Sequence, residues 1–241
     1  QGIRGEANSC VDRAMTGRSA NALRIGCASC FWGDTEFGAR QLVDGGNIDV
    51  LVFDYLAEIT MSILARAKAK DPTKGYAVDF VRVLTPLLPE IARQGIRVIS
   101  NAGGLNPDAC AEALQVALSK AGLNLKVAVV SGDDLSGRLS WLREQPIREM
   151  ASGEKLPSTL LSANAYLGAR PIAAALDRGA DIIITGRCVD SAVTLGPLVH
   201  HFGWKWDEYD KLAQGSLAGH IIECGTQGTG GLFTDWQDVP G

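Results

Sequence analysis

Five short apolar runs, at 23–28, 50–53, 96–100, 126–131 and 181–185, constrain this chain more than any other feature, because each is separated from the next by sequence of helical character. Each run is four to six residues long and nearly all apolar, the pattern of strands covered on both faces rather than one. Strands joined through helices pair in parallel. The predicted fold is therefore α/β: a mostly parallel, doubly wound sheet with helices on both faces.

The intervening segments support this reading. Over 107–121, Cys110, Leu114, Ala117, Leu118 and Ala121 form one apolar stripe, with Asn106 placed as N-cap, Pro107 at the first helical position and Gly122 where a left-handed C-terminal residue belongs. The stripe Val81, Leu84, Leu88 and Ile91 also predicts a helix over 77–94. Pro86 and Pro89 interrupt it, and an interior proline removes a backbone hydrogen bond at a cost of ~3 kcal/mol, so a kink or restart belongs near Pro86. Residues 133–160 carry glycine, proline and charge without a period and read as an excursion, a lid or an oligomer contact. Residues 1–22 read as a polar tail, and 23–241 as a single α/β domain.

A net charge of −4 with no basic block removes the electrostatic footprint that nucleic acid requires. No apolar run reaches the ~18 residues of a membrane span. Six cysteines scattered through a chain of this size favour a reducing compartment, the cytoplasm or alternatively the mitochondrial matrix. Cys27 and Cys30 have Cys-x-x-Cys spacing, but no second such pair exists to complete a zinc site, and small buried hydrophobic side chains account for them better.

In open parallel sheets, ligands bind beyond the carboxyl ends of the strands. Polar groups follow all five runs: Asp34 and Thr35; Asp54 and Glu58; Asn101, Gly103 and Gly104; Asp133; and Arg187 with Asp190. Turn-making and helix capping also place Asp, Asn and Gly there. Asp54 stands out, since it directly follows Val50-Leu51-Val52-Phe53, and at helical spacing it would share a face with Glu58. Two carboxylates that close raise one pKa, as general acid/base chemistry or cation binding requires. Asn101, Gly103 and Gly104 fit an anion cradle, or simply a tight turn. Arg187 has the fork for a carboxylate or phosphate, and Asp190 would hold it in place. His220, near the end of a helix starting at about Asp207, is a candidate ligand or proton carrier. The catalytic candidates are thus Asp54, Glu58, Asp133, Asp190 and His220; the binding candidates are Asp34, Thr35, Asn101, Gly103, Gly104 and Arg187. Dinucleotide and Walker fingerprints are absent.

Three separated motifs carry more specific information. They are Gly-Cys-Ala-Ser-Cys-Phe-Trp-Gly-Asp-Thr at 26–35, Ser-Asn-Ala-Gly-Gly-Leu-Asn-Pro at 100–107, and the stretch 180–231, which holds Thr-Gly-Arg-Cys-Val-Asp and, later, Gly-His-Ile-Ile-Glu-Cys-Gly-Thr-Gln-Gly-Thr-Gly-Gly. Together with Trp206-Asp207 and Leu212-Ala213 ahead of Gly215, they resemble the acyclic terpene utilisation (AtuA-like) family in the family's order, over about 23–233. Cys30, Gly228 and Leu232 depart from the family pattern. Members are usually longer, so the resemblance implies that this chain corresponds to their N-terminal part.

The resemblance implies a setting of isoprenoid degradation through CoA thioesters and a biotin-dependent carboxylation. It leads to the expectation of an enzyme acting on an anionic small molecule, a CoA thioester or small acid, with strand-end carboxylates moving protons or holding Mg²⁺. The alternative is a non-catalytic subunit or assembly partner of an acyl-CoA carboxylase pathway, with 133–160, Trp204 and Trp206 as contact surface. A homo-oligomer is expected under either reading.

Overall fold

All five apolar runs form strands: β1 (Ile25–Cys27), β2 (Val50–Phe53), β3 (Arg97–Gly104), β4 (Val127–Val130) and β5 (Ile182–Gly186). They build one sheet in the order β1-β2-β3-β5-β4, with every pairing parallel. The computed structural model describes residues 22–229. Residues 1–21 of the polar tail, and Gly230, Gly231 and Leu232 of the terminal loop, lie outside the described residues.

Strand side chains alternate between faces, and two cores result. Leu51, Phe53, Val98, Ile182 and Ile184 pack on one side with α1 (Gly38–Gly45), α2 (Glu58–Lys70), α3 (Val78–Leu84), α4 (Leu88–Gln94) and α5 (Pro107–Lys120). Val50, Val52, Ile99, Ile183 and Val130 pack on the other with α7 (Arg170–Asp177) and α8 (Ala192–Phe202). Full burial of a side chain such as Phe53 contributes ~1.5–3 kcal/mol.

This division follows from the strand order. Right-handed crossovers stepping forward from β1 to β2, β3 and β4 keep their helices on one face, whereas the return step from β4 to β5 puts α7 on the opposite face. Neighbouring strands β3 and β5 therefore send their chains away from each other, to α5 and α8. Their carboxyl ends mark the position where such sheets bind ligands.

The helix over 107–121 is present as α5, ending before Gly122 in a left-handed conformation. Asn106 occupies the N-cap position, but its side chain does not cap; its amide donates instead to the Pro72 and Lys74 carbonyls. The segment 77–94 divides as the prolines require, into α3, a 3₁₀ turn over Thr85–Leu87 and α4. Within 133–160 only a 3₁₀ turn and the short α6 (Leu139–Glu144) form. Trp204 and Trp206, expected at the surface, are half-buried: one stacks on Phe202 and the other lies under Arg170. Gly215 and Gly219 seat α9 (Tyr209–Glu223) on α8, because a Cβ at either position would collide with Leu195, Trp204 or Ser191. That close approach brings the end of α9 back to the sheet.

Candidate functional site

Asp54 leaves the end of β2 and is 4% exposed. Its Oδ1 accepts from the Asn101 amide at 2.7 Å and from the Leu56 N–H at 3.3 Å. Asn101, buried in β3, also accepts the Tyr55 N–H at 2.7 Å, so one amide side chain locks two adjacent strands and sets the rotamer of the acid. Asp190, before α8, and Glu223, at the end of α9, complete a cluster in which one oxygen from each of the three carboxylates lies within 4.8 Å of the others.

Burial raises the Asp54 carboxyl to about 8; the Asn101 hydrogen bond works against this, and the charges of Asp190 and Glu223 add to it. Glu223 is raised by burial and then by Asp190. Its Oε1 lies 3.1 Å from Nδ1 of the exposed His220, which connects the carboxylate cluster to the surface.

Arg187 stands on the other side of Asp190. Its Nη1 donates to Asp190 at 2.7 Å, to the Leu56 carbonyl at 2.8 Å and to the Cys188 carbonyl at 3.2 Å. The Tyr166 ring covers the guanidinium at 4.1 Å, and the Tyr166 hydroxyl donates to Glu58.

The expected pairing of Asp54 with Glu58 is a correction. The helix α2 begins only at Glu58, so Asp54 lies in the non-helical segment before it and the two do not share a helical face. Glu58 instead neighbours Tyr166 and Arg187, and the Tyr166 hydroxyl followed by the Arg187 charge hold its pKa low. The partners of Asp54 are Asp190 and Glu223.

Asp133 is buried, and its Oδ2 accepts from the Arg187 N–H at 2.8 Å and the Asn164 amide at 2.9 Å. A side chain at Gly186 would overlap this carboxylate. Asp133 thus fixes the end of β5 and the 163–167 segment, and its bonds point to positioning rather than proton transfer. Asp34 accepts the Cys30 N–H and Thr35 the Phe37 N–H, both shaping the loop before α1. Gly103 and Gly104 are buried: Thr185 O and Pro107 fill the space beside one, and Leu64 with Gly75 O the space beside the other, so packing rather than an open anion cradle accounts for them.

Burial lifts the Cys27 and Cys30 thiols to about 12 each, with the Asp34 charge adding at Cys30. A thiol raised in this way is a poor nucleophile, which disfavours redox chemistry at this pair. Cys27 Sγ donates to the Glu223 carbonyl, tying β1 to the end of α9. A groove of about 430 Å³ lies elsewhere, between β4 and α7, lined by Lys126, Val129, Pro171, Ala175 and Arg178 among others.

From the sequence, Glu223 is delivered with His220 ahead of the glycine-rich loop but has no assigned role, and Tyr166 is not among the candidates. Glu223 sits in the His-Ile-Ile-Glu run and carried a signal, being an acid in the last turn of a helix, where the dipole disfavours a negative charge. Tyr166 lies in a stretch without period and carried none.

Comparison with known families decides the relationship. A model of the acyclic terpene utilisation family protein AtuA matches residues 23–241. The chain belongs to that family. No matching curated protein and no matching solved structure is found. In this AtuA-family chain the three motifs meet around the carboxylate cluster: Cys27 from the first, Asn101 from the second, and Arg187, Asp190 and Glu223 from the third. Among the described residues no helix is long and apolar enough to cross a membrane.

Proposed function

We propose that this AtuA-family chain is an enzyme that moves a proton on a small acidic metabolite, with Asp54 and Glu223 sharing that proton and Asp190 setting its affinity. The observation that carries the reading is the burial of Asp54 among two further carboxylates. At the 4.8 Å limit of the cluster, two ionised carboxylates repel by roughly 3 kcal/mol at an effective dielectric constant near 20. Repulsion of that size is relieved when the cluster holds a proton or a cation.

A carboxyl raised to about 8 is mostly protonated at neutral pH and ionises within reach of it, which suits it to give up a proton as a general acid. Carboxylate oxygens also suit a hard cation such as Mg²⁺, and Asp54, Asp190 and Glu223 are the residues that would hold it. Bound there, a divalent ion would supply positive charge to polarise a substrate oxygen. The family relationship favours branched, isoprenoid-like acyl groups carried as CoA thioesters. Exposed apolar side chains agree: Ile59, Tyr166 and Val189 are next to Glu58, over Arg187 and next to Asp190, respectively.

The reading is tested by incubating the protein with a branched acyl-CoA in D₂O, with and without Mg²⁺, and following deuterium uptake by mass spectrometry. Uptake that disappears in Asp54→Asn and Glu223→Gln is the expected result. Undiminished uptake in both variants would overturn it. Absence of exchange combined with a tight complex with an acyl-CoA carboxylase would favour the assembly-partner reading instead.

A further inference from the structure

The donors of Arg187 are used unevenly. Its side chain is 3% exposed, yet only Nη1 is saturated, by Leu56 O, Cys188 O and Asp190. Nε is buried without a hydrogen-bond partner. Nη2 approaches Glu58 Oε1 at 3.6 Å, too far for a hydrogen bond. The Nε–H and one Nη2–H point the same way from one edge of the planar guanidinium, the arrangement that accepts two oxygens of a carboxylate or phosphate at once.

The cover over this edge is removable. Glu58 is 79% exposed and stands at the first turn of α2, where the helix dipole stabilises a carboxylate. The hydroxyl of Tyr166, itself half-exposed, holds Glu58 in place. Arg187 is anchored from behind by Nη1 and by the Asp133 grip on its backbone, so losing Glu58 would leave the fork where it is.

We infer that the Nε–Nη2 edge of Arg187 is an oxyanion subsite for a ligand carboxylate or phosphoryl group, and that Glu58, held by Tyr166, is its displaceable resident carboxylate. A ligand bound there would place its acid group on the side of Arg187 away from Asp190, with the guanidinium bridging the ligand and the carboxylate cluster. The inference deepens the proposed proton chemistry and rests on it for the nature of the substrate, but anion binding is measurable without turnover, so either can fail alone.

The experiment follows the Arg187 Nε–H resonance by ¹⁵N NMR, assigned through its contact with the Tyr166 ring, while wild type and Glu58→Gln are titrated separately with inorganic phosphate and with acetate at constant ionic strength. A saturable shift of this resonance is expected, with about tenfold tighter binding in Glu58→Gln, where the competing charge is gone. A response to phosphate alone identifies a phosphoryl group, and a response to acetate alone a carboxylate. A resonance that stays fixed under both anions, or equal affinity in the two proteins, would overturn the subsite.

Discussion

Asn101 donates its side-chain amide to Asp54 at 2.7 Å while accepting the Tyr55 N–H at the same distance, so the acid at the end of β2 is oriented by the middle of β3. Both partners are buried. The bond favours ionised Asp54 against its burial and its acidic neighbours.

Asn101→Ala should therefore act twice. It leaves the buried Tyr55 N–H unsatisfied and opens a small cavity, a loss of about 2–3 kcal/mol. It also removes a bond that favours ionised Asp54, so the carboxyl should titrate higher still. Urea denaturation checks the first effect, and a pH titration of the variant the second.

Stability should depend on pH through Asp54. Its folded pKa, about 8, lies above the ~3.9 of an unfolded aspartate, so between those values the folded chain retains a proton that the unfolded chain releases. The contribution is fully present below pH ~4 and is lost as pH rises through 8, with a slope of at most about 1.4 kcal/mol per pH unit. Asp54→Asn should flatten this part of the profile and be more stable than wild type near pH 8. Chemical denaturation at a series of pH values gives the comparison.

A divalent cation should compete with that proton. Mg²⁺ or Mn²⁺ binding is expected to raise the Tm, release protons to the buffer and strengthen as pH rises toward 8, with all three responses lost in Asp54→Asn. Calorimetry in buffers of different ionisation enthalpy counts the protons. Equal cation responses in wild type and variant would separate any cation effect from this cluster.

Gly186→Ala should destabilise the protein by ~1–3 kcal/mol, because a Cβ there overlaps the Asp133 carboxylate. Displacing Asp133 loosens its hold on both the Arg187 N–H and Asn164. A lower Tm together with a broadened Arg187 signal would show that both strand end and site were disturbed.

The strands were legible in the sequence because continuous apolar runs such as Val50–Phe53 and Ile182–Gly186 mark burial on both faces. Asp54, Asp190 and Arg187 were legible as strand-end groups. Their partners were not. Pairing Asp54 with Glu58 assumed a helix that had already begun at Asp54, whereas α2 begins only at Glu58, after an extended Ala57. The strand order β3-β5-β4, which brings Asn101 near Arg187, is a tertiary result with no local signature. Glu223 reaches the cluster because two glycines of α9 let it lie close on α8, and those glycines give no indication of which acid they deliver.

The central claim is most directly measured by the protonation of Asp54 itself, through the difference infrared carboxyl band between wild type and Asp54→Asn across pH 4–10 in cation-free buffer. A protonated carboxyl that ionises near pH 8, with its midpoint lowered by added Mg²⁺, is the result this account predicts. A carboxylate already ionised at pH 5 and indifferent to Mg²⁺ would contradict it.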